Sequence, residues 1–181
     1  MRRQGNREQN RGFTFIELVF VLAILVILIG ITAPRYIKFL EQAQMSADVS
    51  NMSDLATAVK VATVDADYNV KEGRYIFTLE NTGIIIEAYQ GTTQLHMRPS
   101  DTADLKKGLE SFFGGTWEID GKTANPIIKL RYKKWTDENK PSQKVQLICE
   151  VDSRKVSASY SPDSFAQYAA EAKTKKDDSR S

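Results

Sequence analysis

At 181 residues the chain has room for one modest domain and an additional segment, and its formal net charge is only +2. That balance, with no long basic stripe interleaved with aromatics, excludes nucleic acid as an expected partner of the isolated chain. A single cysteine, Cys149, excludes an intrachain disulfide, and a single histidine, His96, has no nearby cysteine or HxxxH spacing, so no metal site and no cofactor is expected.

The first element is a basic leader with Arg2, Arg3, Arg7 and Arg11, followed by a run that is apolar almost throughout from 13 to 33, FTFIELVFVLAILVILIGITA. At about 1.5 Å per residue this run is long enough to cross a hydrocarbon core of about 30 Å. A lone spanning segment must be helical to satisfy its own backbone in lipid. The four leader arginines outnumber Arg35 and Lys38 behind the run, so the N-terminus is expected in the cytoplasm and the remainder exported.

A secretory signal peptide needs a small-x-small cleavage site; the candidate Gly30-Ile-Thr-Ala33 is followed by Pro34, which is unfavourable after such a cut. A twin-arginine signal is not supported either, because Arg2-Arg3 lie far from the apolar run. A plain signal anchor fits the length but leaves Glu17 unexplained. A carboxylate in a membrane span costs up to about 3 kcal/mol at the centre, less toward the ends, so its presence argues for a function and a partner.

The residues Gly12-Phe13-Thr14-Phe15-Ile16-Glu17-Leu18, behind a basic leader and opening an apolar span, resemble the class III signal of the type IV prepilins and related pseudopilins. The resemblance covers residues 1 to about 60. It implies cleavage after Gly12 by a prepilin peptidase, N-methylation of the new N-terminal Phe13, and a register role for Glu17, whose carboxylate would meet the Phe13 amine of a neighbouring subunit. Two charges in a low-dielectric setting are tolerable when paired. Self-pairing within one helix, where Glu17 lies one turn from Phe13, is the alternative. Pro34 falls at the family's helix-kinking proline, and its missing N–H predicts a kink or local melting, with Gly30 weakening the same region.

Beyond Pro34 the helical pattern is expected to continue to about Ala66. Met45, Val49, Met52, Ala56, Val59, Ala62 and Ala66 recur at three- and four-residue steps, with Leu55 and Ala58 widening the stripe. Gln44, Asp48, Ser50, Asp54, Thr57 and Lys60 are assigned to the remaining, polar surface. Gly73 is the expected stop.

In the exported part, residues 74–79 read as a strand and 83–89 as an apolar stretch of undecided type. Asp101 is the expected cap of a helix over 102–113, closed by Gly114-Gly115. Strand-like runs follow at 116–120, 126–135, 143–152 and 155–160, separated by turn-rich segments, which predicts an antiparallel meander packed on the helix. Ser161-Pro162 is expected to start a short helix to about Ala172, with 173–181 a frayed tail.

The expected fold is therefore α+β: a long N-terminal transmembrane helix packed against a C-terminal antiparallel sheet, with the lollipop form of pilins. The expected divisions are a leader at 1–12, an assembly helix at 13–34, its amphipathic continuation at 35–67, a head at 68–172 and a tail at 173–181. No enzyme is expected. Asp65/Asp67 and Asp177/Asp178 read as solvated surface, and Cys149 as a buried residue of a strand. Phe112, Phe113, Trp117, Tyr132 and Trp135 are expected to fill the core, with a sugar- or surface-binding patch as the alternative.

By resemblance, the partners are a prepilin peptidase, other copies and minor pilins in a helical filament, an inner-membrane assembly platform and the bilayer. The chain would be a single-pass membrane protein before assembly and part of a cell-surface pilus or an envelope-spanning pseudopilus afterwards. A pseudopilin of a secretion or competence system, and a membrane-tethered surface binding protein that never polymerises, are the two alternatives. One cysteine cannot form the C-terminal disulfide of many pilins of this family, and no match to the calcium loop of secretion pseudopilins is present, which leaves the subclass open.

Overall fold

The fold is described from a computed structural model, for residues 14–91, 93–121, 125, 128–137, 140–142 and 144–178. The first helix, α1, spans Phe15–Val64, and the chain divides into two units between Glu41 and Gln42, within it. The α+β expectation holds: a long N-terminal apolar helix and a four-stranded antiparallel sheet are both present.

In the first unit the apolar side chains point in every direction. Phe15, Leu18, Phe20, Leu22, Ile24, Val26, Ile29, Ile31, Phe39 and Leu40 are all exposed. The helix is continuous through Pro34. Proline has no N–H for the Gly30 carbonyl, and two residues earlier the Thr32 hydroxyl donates to the Leu28 carbonyl at 2.8 Å.

The second unit contains the rest of α1, the hairpin β1 (Gly73–Glu80) and β2 (Gly83–Tyr89), helix α2 (Pro99–Phe113), the short pair β3 (Trp135–Asp137) and β4 (Lys140–Ser142), the hairpin β5 (Val145–Asp152) and β6 (Lys155–Ser161), and helix α3 (Asp163–Asp178). The main sheet has the order β2-β1-β5-β6, antiparallel throughout. It is two hairpins joined through β1 and β5, not the sequential meander expected.

Register aligns the apolar positions into rows on one face: Ala88-Tyr75-Cys149, Ile86-Phe77-Leu147 and Ile84-Leu79-Val145. All nine of these residues are buried, because alternate residues of a strand share a face. Met52, Leu55, Ala56, Val59 and Ala62 of α1 join them in one core, with Leu105 and Leu109 of α2 and Phe165 of α3. Gly108 lets α2 approach closely, since a Cβ there would meet the Ala62 Cβ at 2.5 Å.

Several boundaries depart from the sequence reading. α1 ends at Val64, and α2 begins at Pro99 with Arg98 at its cap, without a side-chain capping bond. Asp101 instead lies in the first turn, where an acid suits the positive end of the helix. The undecided stretch at 83–89 is β2, and α3 runs on to Asp178, past Ala172.

The runs at 116–120 and 126–135 form no strand before Trp135 among the described residues. Trp117, Ile128 and Leu130 are buried as the alternation implies, but the backbone donors find other partners than a ladder. The Leu130 N–H goes to the Glu80 carbonyl, and the N–H groups of Arg131 and Tyr132 go to Asp48.

Candidate functional site

Of the residues singled out by the sequence, Glu17 lies at the start of α1 and Pro34 within it. Gly12, Phe13 and the leader arginines Arg2, Arg3, Arg7 and Arg11 lie outside the described residues. Glu17 occupies the third position of α1 and faces back to Thr14. The Thr14 N–H and hydroxyl each donate to Glu17 Oε2 at 2.8 Å, the Glu17 N–H donates to Thr14 Oγ1 at 3.4 Å, and the Thr14 carbonyl accepts from the Leu18 N–H at 3.3 Å.

This is a reciprocal capping box: threonine at the cap, glutamate three residues later, each side chain serving the other's backbone N–H. The carboxylate thus has partners within its own helix at the threshold of an apolar segment. The T-x-x-E spelling of that box was legible, and the sequence reading passed over Thr14.

Among the described residues this segment presents an exposed apolar surface. Its most apolar stretch is wholly exposed. Long apolar helices exposed on all sides need lipid or other apolar helices around them. Its polar side chains sit toward its ends: the Thr14–Glu17 box at one, then Thr32, Arg35, Tyr36, Lys38 and Glu41 before the second unit.

Within the second unit the sequence reading misplaced one residue. Asp48 is fully buried, not on the polar surface. Its Oδ1 accepts the Arg131 N–H at 2.9 Å, and its Oδ2 accepts the Tyr132 N–H at 2.9 Å and Trp135 Nε1–H at 3.3 Å. Burial raises the pKa of its carboxyl above the ordinary value, against the opposing pull of these three donors. Asp48 stands four residues before Met52, on the apolar stripe itself, and that spacing was the available signal.

The remaining candidates behave as structure. Cys149 is buried, and burial pushes its thiol up to about 12, so it is not a nucleophile at neutral pH. His96 is exposed, with its ring 4.5 Å from that of Tyr89. The five aromatics do not make one patch. Trp117 and Trp135 are buried, Phe112 is 46% exposed, and the rings form two groups, Phe112-Phe113-Trp117 and Tyr132-Trp135, the second joined by Phe165 and Tyr168. Asp65 is half-buried and accepts the Asp67 N–H at 3.0 Å. The side chain of Asp177 lies outside the described residues.

Comparison with known proteins finds the prokaryotic N-terminal methylation motif over residues 7–33. The chain is 33% identical to a type IV major fimbrial protein FimA of Dichelobacter nodosus over 45% of its own length and 49% of that protein's. It is 46% identical to the type IV major pilin protein PilA of Myxococcus xanthus over 29% of its length and 24% of the relative's. It is 36% identical to the type IV narrow pilus major component PilA5 of Thermus thermophilus over 31% of its length and 48% of the relative's. The chain thus spans at most about half the length of these relatives. No solved structure matches it significantly.

Proposed function

Starting from membership of the type IV pilin and prepilin family, we propose that this chain is a structural subunit of a type IV pilus-like filament. In this reading the leader at 1–12 is removed by a prepilin peptidase after Gly12, and Phe13 becomes the N-methylated first residue. Residues 13–34 hold the subunit in the inner membrane until an assembly platform moves it into the filament. There the same apolar surface packs against neighbouring copies, residues 35–67 lead into the head, and the sheet-bearing unit faces outward.

The observation that carries the proposal is the exposed apolar helix of the first unit, opened by a carboxylate. A solvent-facing helix with large apolar residues on every side is a strong liability for a soluble protein, and lipid followed by a bundle of like helices satisfies it in turn. The capping box gives Glu17 a resting arrangement before assembly. On cleavage the new Phe13 ammonium adjoins Thr14, and a neighbour's Glu17 reaching such an ammonium forms an ion pair with greater Coulombic attraction in the apolar bundle than in water. Register along the filament follows, because a one-residue slip leaves both charges unpaired.

The experiment is Glu17→Ala in cells that express the chain. Surface filaments are expected to fall to a small fraction of the wild-type level, with the subunit retained in the membrane and the melting of the head unchanged. Filaments at wild-type abundance with Glu17→Ala would contradict the assembly role, and a tethered protein that never polymerises would then be the better reading.

A further inference from the structure

The second unit carries a cleft of about 700 Å³ that the filament reading leaves without a role. It is framed by the connector before β1, the segment leading into α2 and the turn between β5 and β6, and three cationic side chains line it: Lys71, Arg98 and Arg154. Among the described residues none of the three is in an ion pair, whereas Arg74, Lys106 and Lys107 on the same unit are each paired with a carboxylate. Unpaired cations converging on a cleft favour an anionic occupant.

The frame is held by bonds that do not use those cations. The Ser153 N–H donates to Glu72 Oε1 at 3.2 Å, the Asn69 N–H to Asp104 Oδ2 at 3.2 Å, and the Tyr75 hydroxyl to the Lys71 carbonyl at 2.8 Å. The turn that presents Arg154 is costly in itself. Ser153 and Arg154 have φ values of 48° and 64°, a left-handed pair that favours asparagine and glycine in a two-residue hairpin. An arginine there gives up turn stability, and such departures concentrate where a side chain has a task.

We propose that this cleft binds a short acidic saccharide, a sugar carrying carboxylate groups. The volume lies within the range of small-ligand pockets. Arginine and lysine suit a carboxylate, the arginine fork bidentately. Glu72, Asp101 and the Asn69 amide also line the cleft and suit the hydroxyls of a sugar. Among the described residues no aromatic ring lines the cleft to stack a base, so nucleic acid is the poorer fit. The site is open to water, so its affinity falls with added salt.

The test is titration of the full chain in detergent micelles with trigalacturonate, and in parallel with maltotriose and oligothymidylate. Trigalacturonate is expected to bind, more weakly at high salt, and the other two to bind at least about tenfold less well, the equivalent of one charge-assisted hydrogen bond. Arg98→Ala and Arg154→Gly are each expected to weaken trigalacturonate binding by about the same factor. Arg154→Gly suits the left-handed backbone and is expected to melt no lower than the wild type, which separates lost binding from lost folding. Maltotriose or oligothymidylate binding as well as trigalacturonate, no binding of trigalacturonate, or unchanged binding by Arg154→Gly would each overturn the proposal.

Discussion

Between Phe15 and Leu40, α1 carries large apolar side chains on every side and these are exposed, whereas between Met52 and Ala62 the same helix buries Met52, Leu55, Ala56, Ala58, Val59 and Ala62 as one stripe against the sheet. The continuous backbone is one element, but its two halves are stabilised by different surroundings. The periodic half finds its partner in its own chain, in the rows of β2, β1 and β5. The unpatterned half finds none among the described residues, which fits a partner supplied from outside, by lipid or by other copies. Periodicity in a helix therefore tells where the partner is, and not merely that one exists.

The largest expected effect tests this difference with the same substitution in both halves. Leu55 is fully buried and Leu25 is 46% exposed. Leu55→Ala is expected to destabilise the second unit by about 2–5 kcal/mol. Leu25→Ala is expected to change its stability by no more than about 0.5 kcal/mol. Thermal melting of the full chain in detergent micelles reads both, and equal losses would break the comparison.

Asp48 sharpens it, as the one charged residue on the buried stripe. Asp48→Ala leaves the N–H groups of Arg131 and Tyr132 and Trp135 Nε1–H without their acceptor, and about 3 kcal/mol is expected to be lost. The pH dependence has a definite sign. Burial holds the folded carboxyl above its ordinary 3.8, so the fold favours the protonated form. That contribution is fully present below 3.8 and is lost as pH rises through the raised value. Asp48→Asn cannot ionise. The melting temperature of the wild type relative to Asp48→Asn is therefore expected to fall as pH is raised through this window, and a difference that grows with pH would contradict the assignment.

A smaller effect is expected at the glycines. A Cβ on Gly108 would meet Ala62 of α1 at 2.5 Å, whereas one on Gly30 has nothing within 4 Å. Gly108→Ala is expected to cost about 1–3 kcal/mol by forcing α2 off α1. Gly30→Ala is expected to leave the second unit's melting unchanged and to act only on filament formation, where α1 meets its neighbours. Similar melting losses for the two would remove the distinction between the halves.

Much of this was legible in the sequence because it is written in short-range patterns. The apolar run with Glu17 near its start, the stripe from Met52 to Ala62, and the alternation in β1, β5 and β6 all follow from one residue's relation to its near neighbours. What was misread depends on distant partners. Asp48 looks like surface until Arg131, Tyr132 and Trp135, more than 80 residues away, are brought to it. The run at 126–135 looks like a strand because Ile128 and Leu130 alternate inward, but its donors are taken by Glu80 and Asp48 in place of a neighbouring strand. In the candidate site the opposite occurred: Thr14 and Glu17 are a local pair, and their capping box was readable from spacing alone.

The central claim is that the exposed half of α1 belongs to a processed filament subunit, and the mass of the chain's N-terminus in cells with an active prepilin peptidase tests it most directly. The account predicts a chain that begins at N-methylated Phe13. A chain that retains Met1 and the arginine leader would contradict it and leave a simple membrane anchor in its place.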